Sequence, residues 1–191
     1  GEVKRFSKTA KVVWLNASYT PVLDRANRTQ KIIKFAIDIT DEKLRSIEYE
    51  GQMTAINKTL ASIEFNLDGA IITANNVFLE AMGYPLAEIK GKHHKIFVDG
   101  VFANSDEYKQ FWSDLSKGLP QSGEFKRLDK NGRPVWLNAN YTPIMTPDGK
   151  VYKVVKFAQV TTNEKNKSLN FQGQINAINN TIAAIEFDLN G

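Results

Sequence analysis

The chain of 191 residues contains no cysteine, which excludes disulfide frameworks, thiolate metal sites and thiol catalysis together and suits a reducing compartment. Histidine is nearly absent as well: His93 and His94 stand side by side, half of a zinc site at most. No apolar run approaches the roughly 20 residues that a bilayer-spanning helix needs. Gly1-Glu2-Val3-Lys4-Arg5 opens no signal-peptide pattern, so a soluble, cytoplasmic protein with no membrane contact is expected. Charge of one sign is missing too. The 25 Lys and Arg residues are interleaved with 21 Asp and Glu residues for a net charge of +4, which describes a mixed solvated surface and not a nucleic-acid-binding stripe. Phosphate-loop, GxSxG, HExxH and kinase patterns are lacking, and Glu64, Asp68 and Glu80 show no spacing of an acid/base pair. A catalytic role is not expected.

What the chain does have is a long internal repeat. VVWLNASYTP around Trp14 returns as PVWLNANYTP around Trp136, an offset of 122 positions that also relates Phe35 to Phe157 and Gly51 to Gly173. Residues 1–69 and 123–191 share 33 identities without a slip in register, which is duplication. A unit of this length is a domain with its own core, since solenoid repeats run to about 20–50 residues.

Each cycle predicts the same elements. Tyr49, Met53, Ile56 and Leu60, like Phe171, Ile175, Ile178 and Ile182, mark one helical face, so 42–59 and 164–182 read as linker helices. Gly51 and Gly173 should each weaken their helix by about 1 kcal/mol relative to alanine, enough for a local break. Ala61–Asn66 and Ala70–Ala74 read as a hairpin about Asp68-Gly69. A short helix follows, capped by Asn75 or Asn76 and ended by Gly83, then a helical turn over Pro85–Ile89. Ser105 caps a longer helix to Lys117 with Tyr108, Phe111, Trp112 and Leu115 on one face. Glu124–Leu128, Val135–Ile144 and Val151–Thr161 read as an antiparallel meander turning at Asn131-Gly132 and Asp148-Gly149. Strand alternation turns Leu137, Ala139 and Tyr141 to the core. The same three strands recur over residues 1–40, but Ala10 and Asn27 stand where the later copy has turn glycines, so those turns must differ or be strained.

ANNVFLEAMGY at 74–84, EIKGKHH at 88–94, FWSDLSKGLPQSGEFKRLDKNGRPVWLNANYTPI at 111–144 and VVKFAQVT at 154–161 resemble PAS sensory modules. Closest in texture are the tandem modules of cytoplasmic methyl-accepting chemotaxis proteins of the biofilm-dispersion and aerotaxis-transducer types. The resemblance implies an α+β PAS fold, with a five-stranded antiparallel sheet, short helices on one face and linker helices between copies. It divides the chain into three closing strands of a preceding copy (1–41), a linker helix (42–59), a complete module (60–163), a second linker helix (164–182) and the first strand of a following copy (183–191).

The resemblance also implies a sensor that detects a small ligand or cofactor state and passes it through the linker helices. The alternatives are a cofactor-free PAS dimerisation module and the regulatory input of a kinase or cyclase. Pocket candidates are His93, His94, Trp112, Leu137, Ala139 and Tyr141. A metal role falls to His93 or His94 only if haem is bound; the other reading has one histidine packed and its neighbour in solvent or capping a backbone group. The cofactor stays unknown, with haem ahead of FAD, because Pro120-Gln121-Ser122-Gly123 lacks the tryptophan that flavin-binding relatives carry in Pro-Trp-Ser-Gly. Expected partners are a second copy, through the linker helices and the outer sheet face, and a downstream signalling domain.

Overall fold

The computed structural model describes residues 1–181. It divides into a first unit, Gly1–Ile56, and a second, Asn57–Gly191; the predicted strand at 183–191 and Ile182 lie outside the described residues.

The second unit holds a five-stranded sheet of order β5-β4-β8-β7-β6, antiparallel throughout. Its strands are β4 (Ala61–Phe65), β5 (Ile71–Ala74), β6 (Gln121–Leu128), β7 (Pro134–Met145) and β8 (Val151–Val160). Between β5 and β6 come α2 (Asn76–Met82), α3 (Leu86–Ile89), a 3-10 turn (His94–Phe97), α4 (Gly100–Ala103) and α5 (Asp106–Ser116). The sequence predicts neither the 3-10 turn nor α4. Their starts are built by side chains the pattern does contain: His93 accepts from the Lys95 N–H, and Asp99 accepts from the Phe102 N–H. Asn75 caps α2 and Ser105 caps α5 in the same way, while Gly83 ends α2 in the left-handed conformation its missing Cβ permits. Phe78, Met82, Ile89, Phe97, Trp112 and Leu115 from these helices share one core with Ile63 and Phe65 of β4 and with Leu137, Ala139 and Tyr141 of β7.

The first unit is a three-stranded antiparallel sheet, β1 (Glu2–Phe6), β2 (Val12–Leu23) and β3 (Thr29–Asp38), in that order. At both turns the expected strain appears as a positive φ, 59° at Ala10 and 60° at Asn27, where Gly132 and Gly149 take 76° and 80°. A left-handed alanine costs about 1–2 kcal/mol; asparagine tolerates the region better.

The helices after β3 and β8 are α1 (Thr40–Thr59) and α6 (Thr162–Thr181). Both run through their internal glycine without the local break that residue allows. Leu60 falls beyond the end of α1, which leaves Tyr49, Met53 and Ile56 as the exposed part of the predicted stripe. No described helix is long and apolar enough to cross a membrane.

Both helix starts are tied to a sheet by the same latch. In the second unit the Trp136 N–H donates to Thr162 Oγ1 at 3.0 Å and its carbonyl accepts from the Thr161 N–H at 2.9 Å. Lys165 Nζ lies 4.7 Å over the Trp136 ring and pairs with Glu124 at 2.6 Å. In the first unit Trp14, Thr40, Lys43 and Glu2 repeat this, with Trp14 N–H to Thr40 Oγ1 at 2.9 Å, Lys43 Nζ 5.4 Å over the indole and Lys43 to Glu2 at 2.8 Å. All four pairs differ by the offset of the sequence repeat.

Candidate functional site

The core of the second unit is not purely apolar. His94 is buried, with Nδ1 2.9 Å from the Tyr108 hydroxyl and Nε2 3.1 Å from the Tyr141 hydroxyl. A neutral imidazole satisfies both, one nitrogen donating and the other accepting. Phe65 and Trp112 meet the ring edge-on, at centroid distances of 5.4 and 5.5 Å. Tyr141 Oη also accepts from Arg127 Nη2 at 3.1 Å, and Lys156, paired with Tyr141 across β7 and β8, holds its ammonium 4.8 Å over the Tyr141 ring. Arg127 and Lys156 are only 4% and 1% exposed. Among the described residues no carboxylate forms an ion pair with either.

These charges set the protonation of the cluster. Burial pushes His94 well below the usual histidine range, and the Arg127 and Lys156 cations push it further. Burial lifts Tyr108 to about 12. Burial alone would raise Tyr141 too, but Lys156 and Arg127 together outweigh it and hold the phenol below its ordinary value. Lys156 is lowered by burial, against the attraction of Tyr141.

His93 points elsewhere. Its Nδ1 accepts from the Lys95 N–H at 3.0 Å, and its ring lies against the β4–β5 turn, so close that a Cβ on Gly69 would stand 2.8 Å from His93 Nε2. The His94 N–H donates to the Gly69 carbonyl at 2.8 Å, which clamps the histidine segment to that hairpin. Gly69, at φ +83°, is therefore required twice, by its backbone and by the ring above it.

Of the residues expected to form a pocket, His94, Trp112, Leu137, Ala139 and Tyr141 come together in the core and His93 borders them. They fill the space they were expected to enclose. Leu137 and Tyr141 have no exposure, so no water-sized space lies beside them. Neither His94 nitrogen is free to ligate a haem iron in this packing, since both face tyrosine hydroxyls, and His93 Nε2 lies against Gly69. Among the described residues no group of three or more His, Asp or Glu side chains is placed to hold a metal ion.

Sequence reasoning missed Arg127 and Lys156. Both were legible in strand parity, since Arg127 shares its face of β6 with Phe125, and Lys156 stands opposite Tyr141. Treating every basic residue as solvated hid them. A cleft of about 570 Å³ lies between α5 and β6, lined by Arg127 with Phe111 and Phe125 as walls.

Comparison with known proteins agrees with this geometry. Residues 71–158 match the family model described as the PAS fold. The chain is 39% identical over 158 residues to the biofilm dispersion protein BdlA of Pseudomonas aeruginosa, a match covering 83% of this chain and 38% of that protein. It is 31% identical over 100 residues to the aerotaxis receptor of Escherichia coli, covering 52% of this chain and 19% of the receptor. The chain thus spans well under half the length of these relatives. Among solved structures, a PAS domain from Colwellia psychrerythraea superposes with a TM-score of 0.51 at 17% identity, over 59% of this chain and 95% of that one, which supports the fold alone. Five antiparallel strands in this order, helices between the second and third, and the matched span together make the second unit a PAS domain.

Proposed function

We propose that this PAS domain is a sensory and signal-relay module: a change at its buried polar cluster passes through β7 to the helix that follows the sheet. One observation carries the reading. Neighbouring residues of β7 serve opposite sides, with Leu137 and Tyr141 in the core and Trp136 holding Thr162 and Lys165 of α6 on the outer face. A shift of β7 moves both. The likeness to BdlA and to an aerotaxis receptor supports placing the module in a chemotaxis-type transducer, with a downstream signalling domain. The test is hydrogen exchange in α6 of the wild type and Tyr141→Phe, which removes only the hydroxyl shared by His94 and Arg127. Altered protection in the first turn of α6 supports the relay; protection unchanged there while the core amides respond sinks it.

The first unit reads as the closing half of an equivalent module, since its strands, register and latch follow the 122-residue offset. Its exposed Tyr19 and Ile32 correspond to the buried Tyr141 and Val154 and share their face, which suits a sheet covered by helices of the α2–α5 kind. Exposed Tyr49 and Met53 on α1 favour helix pairing between copies of the chain, the route by which such modules would dimerise. Cross-linking of a Tyr49→Cys variant between chains tests that arrangement, and a strictly monomeric, uncross-linked protein would rule it out.

A further inference from the structure

Arg127 is the unusual member of the core cluster because it is buried, charged and incompletely satisfied. Nη1 donates to the Lys126 carbonyl at 2.8 Å and Nη2 to Tyr141, while Nε is buried with no partner. The guanidinium stacks 4.9 Å from the Phe125 ring and forms part of the lining of the α5–β6 cleft. A buried cation without a counter-charge is unfavourable, and a guanidinium presents paired donors that match a carboxylate. The cleft volume of about 570 Å³ falls within the range of small-molecule sites, roughly 300–1,000 Å³.

The outer lining has the opposite charge. Asp99, Glu107, Asp114 and Glu124 line the cleft against a single Lys126. Asp99, Glu107 and Glu124 are exposed and Asp114 is half-buried, whereas Arg127 is buried, so the cation lies at the inner end and the acids toward the mouth. A polyanion would be repelled at such a mouth. A simple amine would meet Arg127 with the wrong sign. A zwitterion satisfies both ends.

We infer that the α5–β6 cleft binds a small amino-acid-like zwitterion, its carboxylate on Arg127, its apolar body against the edge-to-face pair of Phe111 and Phe125, and its ammonium against Glu107 and Asp114. This rests on the sensory reading and names the ligand class it would use. The site also reaches the relay: Glu124 lines the cleft and pairs with Lys165 of α6.

The test is calorimetric titration of the full chain with a panel of the standard L-amino acids at neutral pH, with phenylacetate and phenethylamine as single-charge controls. At least one amino acid should bind saturably, and at least tenfold more tightly than either control. Arg127→Gln should abolish that binding. Because this core variant risks misfolding, Glu107→Gln with Asp114→Asn, both away from the packed core, should weaken it at least threefold in a protein of unchanged circular dichroism. Absence of saturable binding across the panel, equal binding of phenylacetate or phenethylamine, or full binding by the rim double variant would overturn the inference. Hydrogen exchange in Tyr141→Phe is independent of these titrations, so a relay intact there with no amino acid bound would refute the ligand class alone.

Discussion

The two sheets carry the same three side chains in different surroundings. Arg5, Tyr19 and Lys34 of the first unit correspond by the 122-residue offset to Arg127, Tyr141 and Lys156 of the second, and Tyr19 faces Lys34 across β2 and β3 as Tyr141 faces Lys156 across β7 and β8. Even the cation placement repeats, with Lys34 Nζ 5.6 Å from the Tyr19 ring. Tyr19 is nevertheless 55% exposed and Tyr141 not at all. Local sequence determines the strand, its register and its cross-strand pairs. Burial, and with it protonation and any signalling chemistry, comes from the helices that close over the sheet.

The sharpest break of that equivalence is truncation of the tyrosine. Tyr141→Ala should cost about 3–5 kcal/mol, the usual loss for a buried aromatic, because it empties core volume and strands His94 and Arg127. Tyr19→Ala should change stability by about 0.5 kcal/mol or less. Urea titration of each variant measures the contrast, and equal losses would contradict it. Replacing the lysine should act in the other direction. Lys156→Met removes a buried cation and keeps the stem, and should stabilise the domain by about 1–3 kcal/mol, while Lys34→Met in the exposed setting should leave the midpoint where it was.

Acid should separate the units next. The folded pKa of His94 lies well below 6.5, so the unfolded chain binds the extra proton first as pH falls through that value. The stability from keeping His94 neutral is complete above 6.5 and is lost progressively below it. Tyr108, Tyr141, Arg127, Lys156 and His93 surround the ring. None of them is an acid able to stabilise an imidazolium. His94→Gln should flatten the fall in thermal midpoint between pH 7 and 5; a slope identical to the wild type would assign the acid sensitivity to other groups.

Substitutions at the helix starts and turns should have smaller effects. Thr40→Val and Thr162→Val each remove the acceptor for a tryptophan N–H at a helix start, and each should cost about 1 kcal/mol. The latch, unlike the core, is complete in both units. Ala10→Gly should gain about 1 kcal/mol by relieving a left-handed alanine, seen as a higher midpoint for the first unit. A loss there would mean that the turn is held by something other than backbone strain.

Much of this was legible in sequence, and the exceptions have physical causes. Helix caps at Asn75 and Ser105, the inward parity of Leu137, Ala139 and Tyr141, and the strain at Ala10 and Asn27 follow from local stereochemistry. The short 3-10 turn at His94 and α4 after Asp99 carry too few residues for periodicity to register. Gly51 and Gly173 are tolerated because the roughly 1 kcal/mol they cost is small against a helix of 20 residues. Arg127 and Lys156 escaped notice because charge alone predicts exposure, whereas strand parity places both on the inward face. The inward-facing residues pack against one another, and a list of such residues does not say whether they enclose space or fill it.

The claim that a covered sheet can pass a core change to its helix, and an uncovered one cannot, is tested most directly by amide chemical shifts. Tyr141→Phe and Tyr19→Phe each delete one hydroxyl five residues along the strand from a latch tryptophan, and Thr162 and Lys165 can be read against Thr40 and Lys43. Clear shifts are expected at Thr162 and Lys165 in Tyr141→Phe and none at Thr40 and Lys43 in Tyr19→Phe. Equal shifts at both latches, or silence at Thr162 and Lys165, would contradict it.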